Sequence, residues 1–167
     1  LTSGAQFVKD LSTATPPRPT GQPLHIVLIL GNHECYKHTY PETVAQMRQL
    51  YQDIMPNVHF LENDSVTLFG VKFVGAALWC DPPAECHFFI QHSIADFVRI
   101  RDWTLPSCQA QCRESVAYIE SQLQNYDGPT VVVTHFCPSL HSIHERYQKR
   151  PQDRMINRYF ATPLDDL

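Results

Sequence analysis

Two short polar motifs follow strongly apolar segments and hold the residues best suited to chemistry. The first, Gly31-Asn32-His33-Glu34, follows the run His25-Ile-Val-Leu-Ile-Leu30. Asn32 offers a carbonyl oxygen that suits a divalent metal, and His33 offers an imidazole that can hold or donate a proton near neutral pH. A glycine before them permits a sharp turn and the close approach of another group.

The second motif is His135, which directly follows the apolar run Thr130-Val-Val-Val-Thr134. Ligand sites in α/β sheets gather at the carboxyl ends of strands. We therefore expect Asn32 and His135 at adjacent strand ends, with their side chains facing one another. Each motif alone is common by chance, whereas the two in this order are far more specific.

The segments that must hold these motifs alternate between helix and strand patterns. Apolar residues at helical spacing predict helices over 42–54 and 107–124, and a short strand is predicted over 58–61. Residues 66–76 read as a hairpin that turns near Gly70. The runs before the two motifs are continuously apolar, which predicts strands buried on both faces. This alternation predicts a layered α/β fold with a mixed sheet.

The composition limits the class of protein. A chain of 167 residues with 43% hydrophobic and 18% charged residues is typical of one globular domain. The net charge of −4 argues against a nucleic-acid or anionic-membrane surface. No apolar run approaches the roughly 18–20 residues of a membrane span. The six cysteines form no C-x-x-C pair, which favours reduced thiols in a cytoplasmic protein, although a disulfide such as Cys80–Cys86 stays open.

The motifs and their order resemble the calcineurin-like metallophosphoesterase superfamily. That family carries D-x-H, G-D, G-N-H-[DE], a histidine often within G-H or T-H, and G-H-x-H. Gly31 to Glu34 match the third motif and Thr134-His135 the fourth, and the resemblance to small soluble bacterial members runs from about residue 24 to about residue 160. It implies an α/β/β/α-type sandwich. Because the other three motifs have no counterpart, residues 1–167 are interpreted as part of a single domain, an internal piece of a longer protein.

The resemblance also implies roles for individual residues. Asn32 and His135 would bind one of two divalent ions (Mn, Fe or Zn), and His33, beside the reacting phosphate, would be the general acid. Glu34 would orient His33 or cap a nearby backbone group, with Gly31 supporting the turn. The implied reaction is hydrolysis of a phosphate mono- or diester on a small molecule or a phosphorylated substrate. Two ions about 3.5–4 Å apart clamp the phosphate and activate water. The parent protein would be the enzyme, and this chain alone is expected to be inactive.

Other residues have both a functional and an ordinary interpretation. Tyr36 would either line the substrate pocket or pack against the rest of the fold. His141 and His144 would either contact a substrate phosphate or lie on a solvated helix face. Asp96 is a partner of the site or, as the favoured interpretation, a loop cap. The basic residues of segment 146–158 attract a phosphorylated substrate or form a surface charge run.

A different class of function also stays open. The chain would then be a degenerate, non-catalytic relative that acts as a binding or scaffold domain, because a fold can persist after its site is lost. The retention of both motifs argues against this alternative.

Overall fold

The computed structural model describes residues 6–11, 24–54 and 56–167, the side chains of 52–54 excepted. Residues 13–23, whose four prolines among small polar residues predict a loop, lie outside these residues. In chain order the elements are α1 (6–11), β1 (Ile26–Ile29), α2 (Tyr40–Ile54), β2 (Val58–Leu61), β3 (Asp64–Leu68), β4 (Val71–Ala76), α3 (His87–Ser93), α4 (Asp96–Arg99), α5 (Leu105–Gln124), β5 (Thr130–Thr134) and α6 (Pro151–Phe160). Short 3₁₀ turns at His33–Cys35, Ala84–Cys86, Leu140–Ser142 and Glu145–Tyr147 connect some of them.

The five strands form two sheets. Strands β1 and β2 pair in parallel, whereas β4 pairs antiparallel with β3 and parallel with β5. The β3–β4 hairpin turns through Phe69 and Gly70, which both have positive φ, at 54° and 79°. Two consecutive positive φ values are typical of the tight turns that suit the twist of paired strands. The mixed pairing and the surrounding helices confirm the predicted α/β class.

The two sheets touch at Gly75, near the end of β4. A Cβ atom at this position would lie 2.3 Å from the Cβ of Leu61 and 3.1 Å from Cγ2 of Ile29. Only glycine allows strands to approach this closely. Because β5 pairs with β4, this contact brings the ends of β1 and β5 into one region.

An aromatic cluster fills the core beneath that region. Trp79 is fully buried. Its ring centroid lies 6.0 Å from that of Tyr40, 4.4 Å from that of Trp103 and 5.2 Å from that of Phe136. Large aromatic rings at these spacings contribute both buried area and favourable edge contacts.

The predicted long helices are confirmed. Helix α2 buries Val44, Met47 and Tyr51 at helical spacing. Helix α5 begins two residues earlier than predicted because Thr104 and Ser107 form a reciprocal capping box. None of the helices in the described part is long and apolar enough to cross a membrane.

The cysteines are all unpaired, and only Cys137 is not buried. The alternative disulfide between Cys80 and Cys86 is not formed. The Sγ of Cys80 instead lies 3.6 Å from the Sγ of Cys108 on α5. The prediction of reduced, mostly buried thiols is therefore confirmed.

The prediction that the two motif strands are buried on both faces is wrong. All four residues of β1 are only half-buried, and Val131 and Val132 of β5 are 44% and 38% exposed. The physical reason lies in the topology. Among the described residues β1 pairs only with β2 and β5 only with β4, so each is an edge strand. A continuous apolar run indicates that a strand prefers burial. It does not indicate whether another strand or helix covers that strand in the fold.

A buried carboxyl group joins β2 to the region after β4. Glu62 is 2% exposed and accepts hydrogen bonds from the Tyr40 hydroxyl at 2.8 Å and from the Ala77 amide at 3.0 Å. Burial raises the pKa of Glu62 from its usual 4.5 to about 7, although these hydrogen bonds oppose the shift. The folded chain therefore holds this proton more tightly than the unfolded chain.

We predict that Glu62→Gln flattens the pH dependence of stability. In the unsubstituted chain, the stabilisation from the raised pKa of Glu62 is complete below pH 4.5 and is lost as the pH rises to about 7. The free energy of unfolding relative to Glu62→Gln should fall by about 1.4 kcal/mol per pH unit in that window and stay constant above it. Urea unfolding, followed by circular dichroism between pH 5 and pH 8, measures this difference in the free energy of unfolding. Glu114→Gln, at an exposed position, is the control, and parallel curves for the unsubstituted chain and Glu62→Gln would contradict the prediction.

Candidate functional site

The two motifs meet at the ends of β1 and β5. The Oδ1 atom of Asn32 lies 3.0 Å from Nε2 of His135, although 103 residues separate them. The expected facing of these side chains is therefore observed. Their strands belong to different sheets rather than to neighbouring positions in one sheet, and the close contact at Gly75 brings the strand ends together.

A buried carboxylate fixes the orientation of the Asn32 amide. Asp96, which opens α4 and is 2% exposed, accepts hydrogen bonds from Nδ2 of Asn32 at 3.0 and 2.9 Å through its two oxygens. It also accepts hydrogen bonds from the hydroxyl groups of Tyr36 at 2.8 Å and Tyr159 at 2.7 Å. Because the amide nitrogen of Asn32 faces Asp96, its carbonyl oxygen is directed at His135.

The favoured interpretation of Asp96 as a loop cap is wrong. Its side chain makes no capping hydrogen bond to α4 and is used for Asn32 and two tyrosines instead. A buried charge needs such partners to offset the loss of water. The signal in the sequence was an acidic residue between Ile94 and Ile100, both of which are buried. Tyr159 had no comparable signal, because it comes from α6, 63 residues away.

The turn after β1 is held by Glu34 and Gly31. Oε2 of Glu34 accepts a hydrogen bond from the Gly31 amide at 3.2 Å, so the backbone-capping role is the one observed. A Cβ atom on Gly31 would lie 2.7 Å from Oε2 of Glu34 and 3.2 Å from Cε1 of His135. The expected close approach at this glycine is therefore present, and the approaching groups are Glu34 and His135.

His33 and Tyr36 lie side by side at this turn. His33 is exposed, and its ring centroid lies 4.7 Å from that of the half-buried Tyr36. Burial, together with the hydrogen bond to Asp96, raises the pKa of Tyr36 to about 12, so its hydroxyl remains a donor. Tyr36 thus packs and also belongs to the Asp96 network, while a contact of Tyr36 with substrate stays a prediction.

The surroundings of His135 favour its neutral form. Part of the ring is exposed, yet the partial loss of solvent around it lowers the pKa of His135, and the neighbouring His33 lowers it further. Glu34 and Asp96 oppose this shift without reversing it. A neutral imidazole offers the lone pair that a metal ion requires.

The structure does not bring His141 and His144 to this pair. Both are exposed, and within the described chain neither makes a hydrogen bond or ring contact with Asn32, His33 or His135. Nδ1 of His144 accepts a hydrogen bond from the backbone of the nearby 3₁₀ turn, and its side chain lines a cavity.

The side chains present fit part of the coordination shell of one metal ion. Two neighbouring ligands about 2.1 Å from one ion lie roughly 3.0–3.4 Å apart, and the 3.0 Å between Asn32 and His135 matches that spacing. The residues that the structure describes contain no group of three or more His, Cys, Asp or Glu that could hold a metal ion. They therefore fit two positions around one ion and do not fit a pair of ions.

Comparison with known proteins gives little guidance on function. No protein-family model matches the chain, and no solved structure matches it. The chain is similar to the uncharacterized protein L509 of Acanthamoeba polyphaga mimivirus, with 27% identity over 151 residues. The aligned region covers 83% of this chain and 50% of that protein. The chain thus spans half the length of the relative that it matches, and the name of that relative states no activity.

We predict that Asp96→Asn destabilises the fold strongly. The substituted amide would direct a donor at the donors of Asn32, Tyr36 or Tyr159, leaving buried polar groups unpaired at a cost of about 2–4 kcal/mol. The free energy of unfolding in urea measures this loss. Asp153→Asn is the matched control, because its Arg150 partner is 77% exposed and such pairs contribute little. Equal losses for the two variants would contradict the role of Asp96.

Proposed function

We propose that this chain is the central part of a calcineurin-like metallophosphoesterase domain. Completed by further segments of a longer protein, that domain would hydrolyse phosphate mono- or diesters with two divalent ions. The observation that carries the proposal is the 3.0 Å spacing of Asn32 and His135. They lie at the ends of two strands and come from the two motifs that match the family, in the family's order.

Asn32 and His135 would hold one ion of Mn, Fe or Zn. Oδ1 of Asn32 and Nε2 of His135 already face each other, so an ion would replace the hydrogen bond between them, with the imidazole proton carried on Nδ1 instead of Nε2. Asp96 keeps the Asn32 carbonyl oxygen directed at this position by holding the amide nitrogen. When bound, the two ions would supply Lewis acidity toward the phosphate and the attacking water.

His33 is assigned the role of general acid in this proposal. It projects into solvent from a turn that Glu34 and Gly31 hold in place. In the proposed reaction the P–O bond to the leaving group breaks, and His33 donates its ring proton to the departing oxygen. The described contacts of His33 are with Tyr36 rather than with Asn32, which suits a residue that moves protons instead of binding metal.

The proposed substrate is a phosphate-ester small molecule or a phosphorylated macromolecule. Segment 145–158 holds five basic and two acidic residues, whereas the chain as a whole has a net charge of −4. This local excess favours an anionic ligand, and the overall charge argues against nucleic acid or an anionic membrane as partner. The six unpaired thiols support a cytoplasmic location.

A non-catalytic binding or scaffold domain is the second candidate. The observation that favours it is the lack, among the described residues, of a group of three or more His, Cys, Asp or Glu able to hold a metal. The coding sequence on both sides of this segment separates the two candidates. An enzyme requires D-x-H and G-D upstream and G-H-x-H downstream, each at the end of an apolar strand, and their absence would leave the scaffold function.

We predict weak metal binding by the chain itself. Mn²⁺ or Zn²⁺ should bind weakly, because two neutral ligands hold a dication poorly without a carboxylate. Asn32→Ala and His135→Ala should abolish this binding, whereas His33→Ala should retain it. Isothermal titration calorimetry measures the affinity, with His144→Ala as an exposed control. Efficient metal-dependent hydrolysis of 4-nitrophenyl phosphate by this chain alone would show that other residues form the site.

In the longer parent protein we predict a separation of metal content from turnover. His33→Ala should lower kcat by about 10²–10⁴, the usual contribution of a general acid, while metal content stays unchanged. Asn32→Ala and His135→Ala should lower both. Atomic emission and steady-state kinetics on the same preparations give the two readouts. Loss of metal from His33→Ala as severe as from His135→Ala would overturn this division of roles.

A further inference from the structure

A cavity of about 560 Å³ lies beyond the end of β5. One wall comes from the segment that follows β5, through Cys137, Ile143 and His144, and the other comes from α6, through Ile156 and Phe160. The volume is within the range of about 300–1,000 Å³ that small-molecule sites occupy. Most of the surface that lines the cavity is apolar.

Backbone hydrogen bonds tie the two walls together. The amide of Cys137 donates to the carbonyl oxygen of Phe160 at 2.9 Å, and the amide of Thr162 donates to the carbonyl oxygen of Cys137 at 2.9 Å. This short bridge between the walls fixes their separation. A ligand therefore meets a cavity that is already formed, which lowers the entropic cost of binding.

The same two segments also build the candidate metal site. Cys137 follows His135 by two residues, and Phe160 follows Tyr159, whose hydroxyl donates to Asp96. The buried ring of Phe136 packs against a ring from each segment, with its centroid 4.9 Å from that of His135 and 6.3 Å from that of Phe160. Phe136 thus links His135 of the candidate site to Phe160, which lines the cavity.

The chemistry of the cavity favours an apolar group that is attached to an anion. Ile143, Ile156 and Phe160 supply apolar walls, while Ser142, His144 and Asn157 supply a few polar atoms. The carboxylate of Asp153 also lines the cavity, and its charge is paired with Arg150. This combination of apolar walls with a small number of polar groups is typical of sites for small organic molecules. The net positive charge of segment 145–158 is complementary to a phosphate.

We propose that this cavity binds the organic component of a phosphate ester, an apolar and preferably aromatic alcohol, with its phosphate directed toward Asn32 and His135. The inference rests on the proposed function and narrows it to a substrate class. Aryl phosphates are substrates, and phosphates of small polar alcohols bind weakly because they leave the apolar walls hydrated.

Cys137 supplies the readout, since it lines the cavity and is the one cysteine of the six that is not buried. Alkylation of Cys137 by iodoacetamide is followed by peptide mass spectrometry, without metal and with 1-naphthyl phosphate, 1-naphthol, glycerol phosphate or inorganic phosphate. We expect saturating 1-naphthyl phosphate and 1-naphthol to slow alkylation at least tenfold. Glycerol phosphate and inorganic phosphate should change the rate less than twofold. Equal effects of all four compounds, or no effect of the naphthyl compounds, would overturn the inference.

Two variants locate the bound group. Phe160→Asp places a charge in the apolar wall and should remove the protection by 1-naphthyl phosphate. Ser142→Trp fills the cavity from an exposed position and should slow alkylation of Cys137 without any ligand, so it keeps the test decisive if Phe160→Asp does not fold. Val98→Asp, at a position that is 86% exposed, is the matched control and should leave protection unchanged. Protection that survives both cavity variants would overturn the inference.

The alkylation experiment and the measurement of Mn²⁺ binding test different proposals. Protection by 1-naphthyl phosphate in a chain that binds no Mn²⁺ would reject the proposed function and leave the cavity as a site for apolar anions. Mn²⁺ binding without protection would reject the cavity inference alone. In the longer parent protein, a Cys137 that resists alkylation without ligand would show that a protein segment fills the cavity, and this also overturns the inference.

Discussion

The hydrogen-bonded carboxylate of Asp96 is the interaction on which the rest of the candidate site depends. A charge with 2% exposure is costly to bury, and its cost is offset here by donors from two separate parts of the chain: Asn32 and Tyr36 in the turn after β1, and Tyr159 on α6. These donors tie two distant parts of the chain to one carboxylate. Asn32 fixes the motif after β1, and Tyr159 fixes α6 and hence one wall of the cavity. The orientation of the Asn32 carbonyl oxygen toward His135 and the position of α6 in the cavity wall therefore have one common cause.

The contact between the sheets supplies the second constraint. Gly75 lets β4 lie directly against β1 and β2, with no space left for a side chain. His135 follows β5, the parallel neighbour of β4, and so it arrives beside Asn32 across the interface of two sheets. A larger residue at Gly75 would separate the sheets and move the two motif ends apart. The site is thus as much a product of sheet packing as of the motifs.

The chemistry of Asn32 and His135 suits the binding of a metal ion better than it suits catalysis by a complete two-metal centre. In the proposed metal site Asn32 and His135 would both be neutral ligands, since partial burial lowers the pKa of His135. Neutral ligands can position an ion without compensating its charge, so a complete two-metal centre needs carboxylates from elsewhere. In the proposed function, the neighbouring cavity and the basic segment 145–158 would supply what the pair lacks, namely apolar surface and positive charge for an ester of phosphate.

Local patterns determined the elements and the identity of the pair. The apolar spacing along α2, the turn at Gly70 and the polar residues that end two apolar runs depend on neighbours in sequence, so the sequence alone predicted α2, the hairpin and the candidates Asn32 and His135. Burial of β1 and β5 was mispredicted, because it depends on which layer covers a strand and not on the strand itself. The role of Asp96 and the cavity were decided by the tertiary structure alone. The partners of Asp96 lie in the turn after β1 and on α6, 60 to 64 residues away along the chain, and α6 also forms one wall of the cavity. No local pattern in the sequence predicts how such distant segments pack.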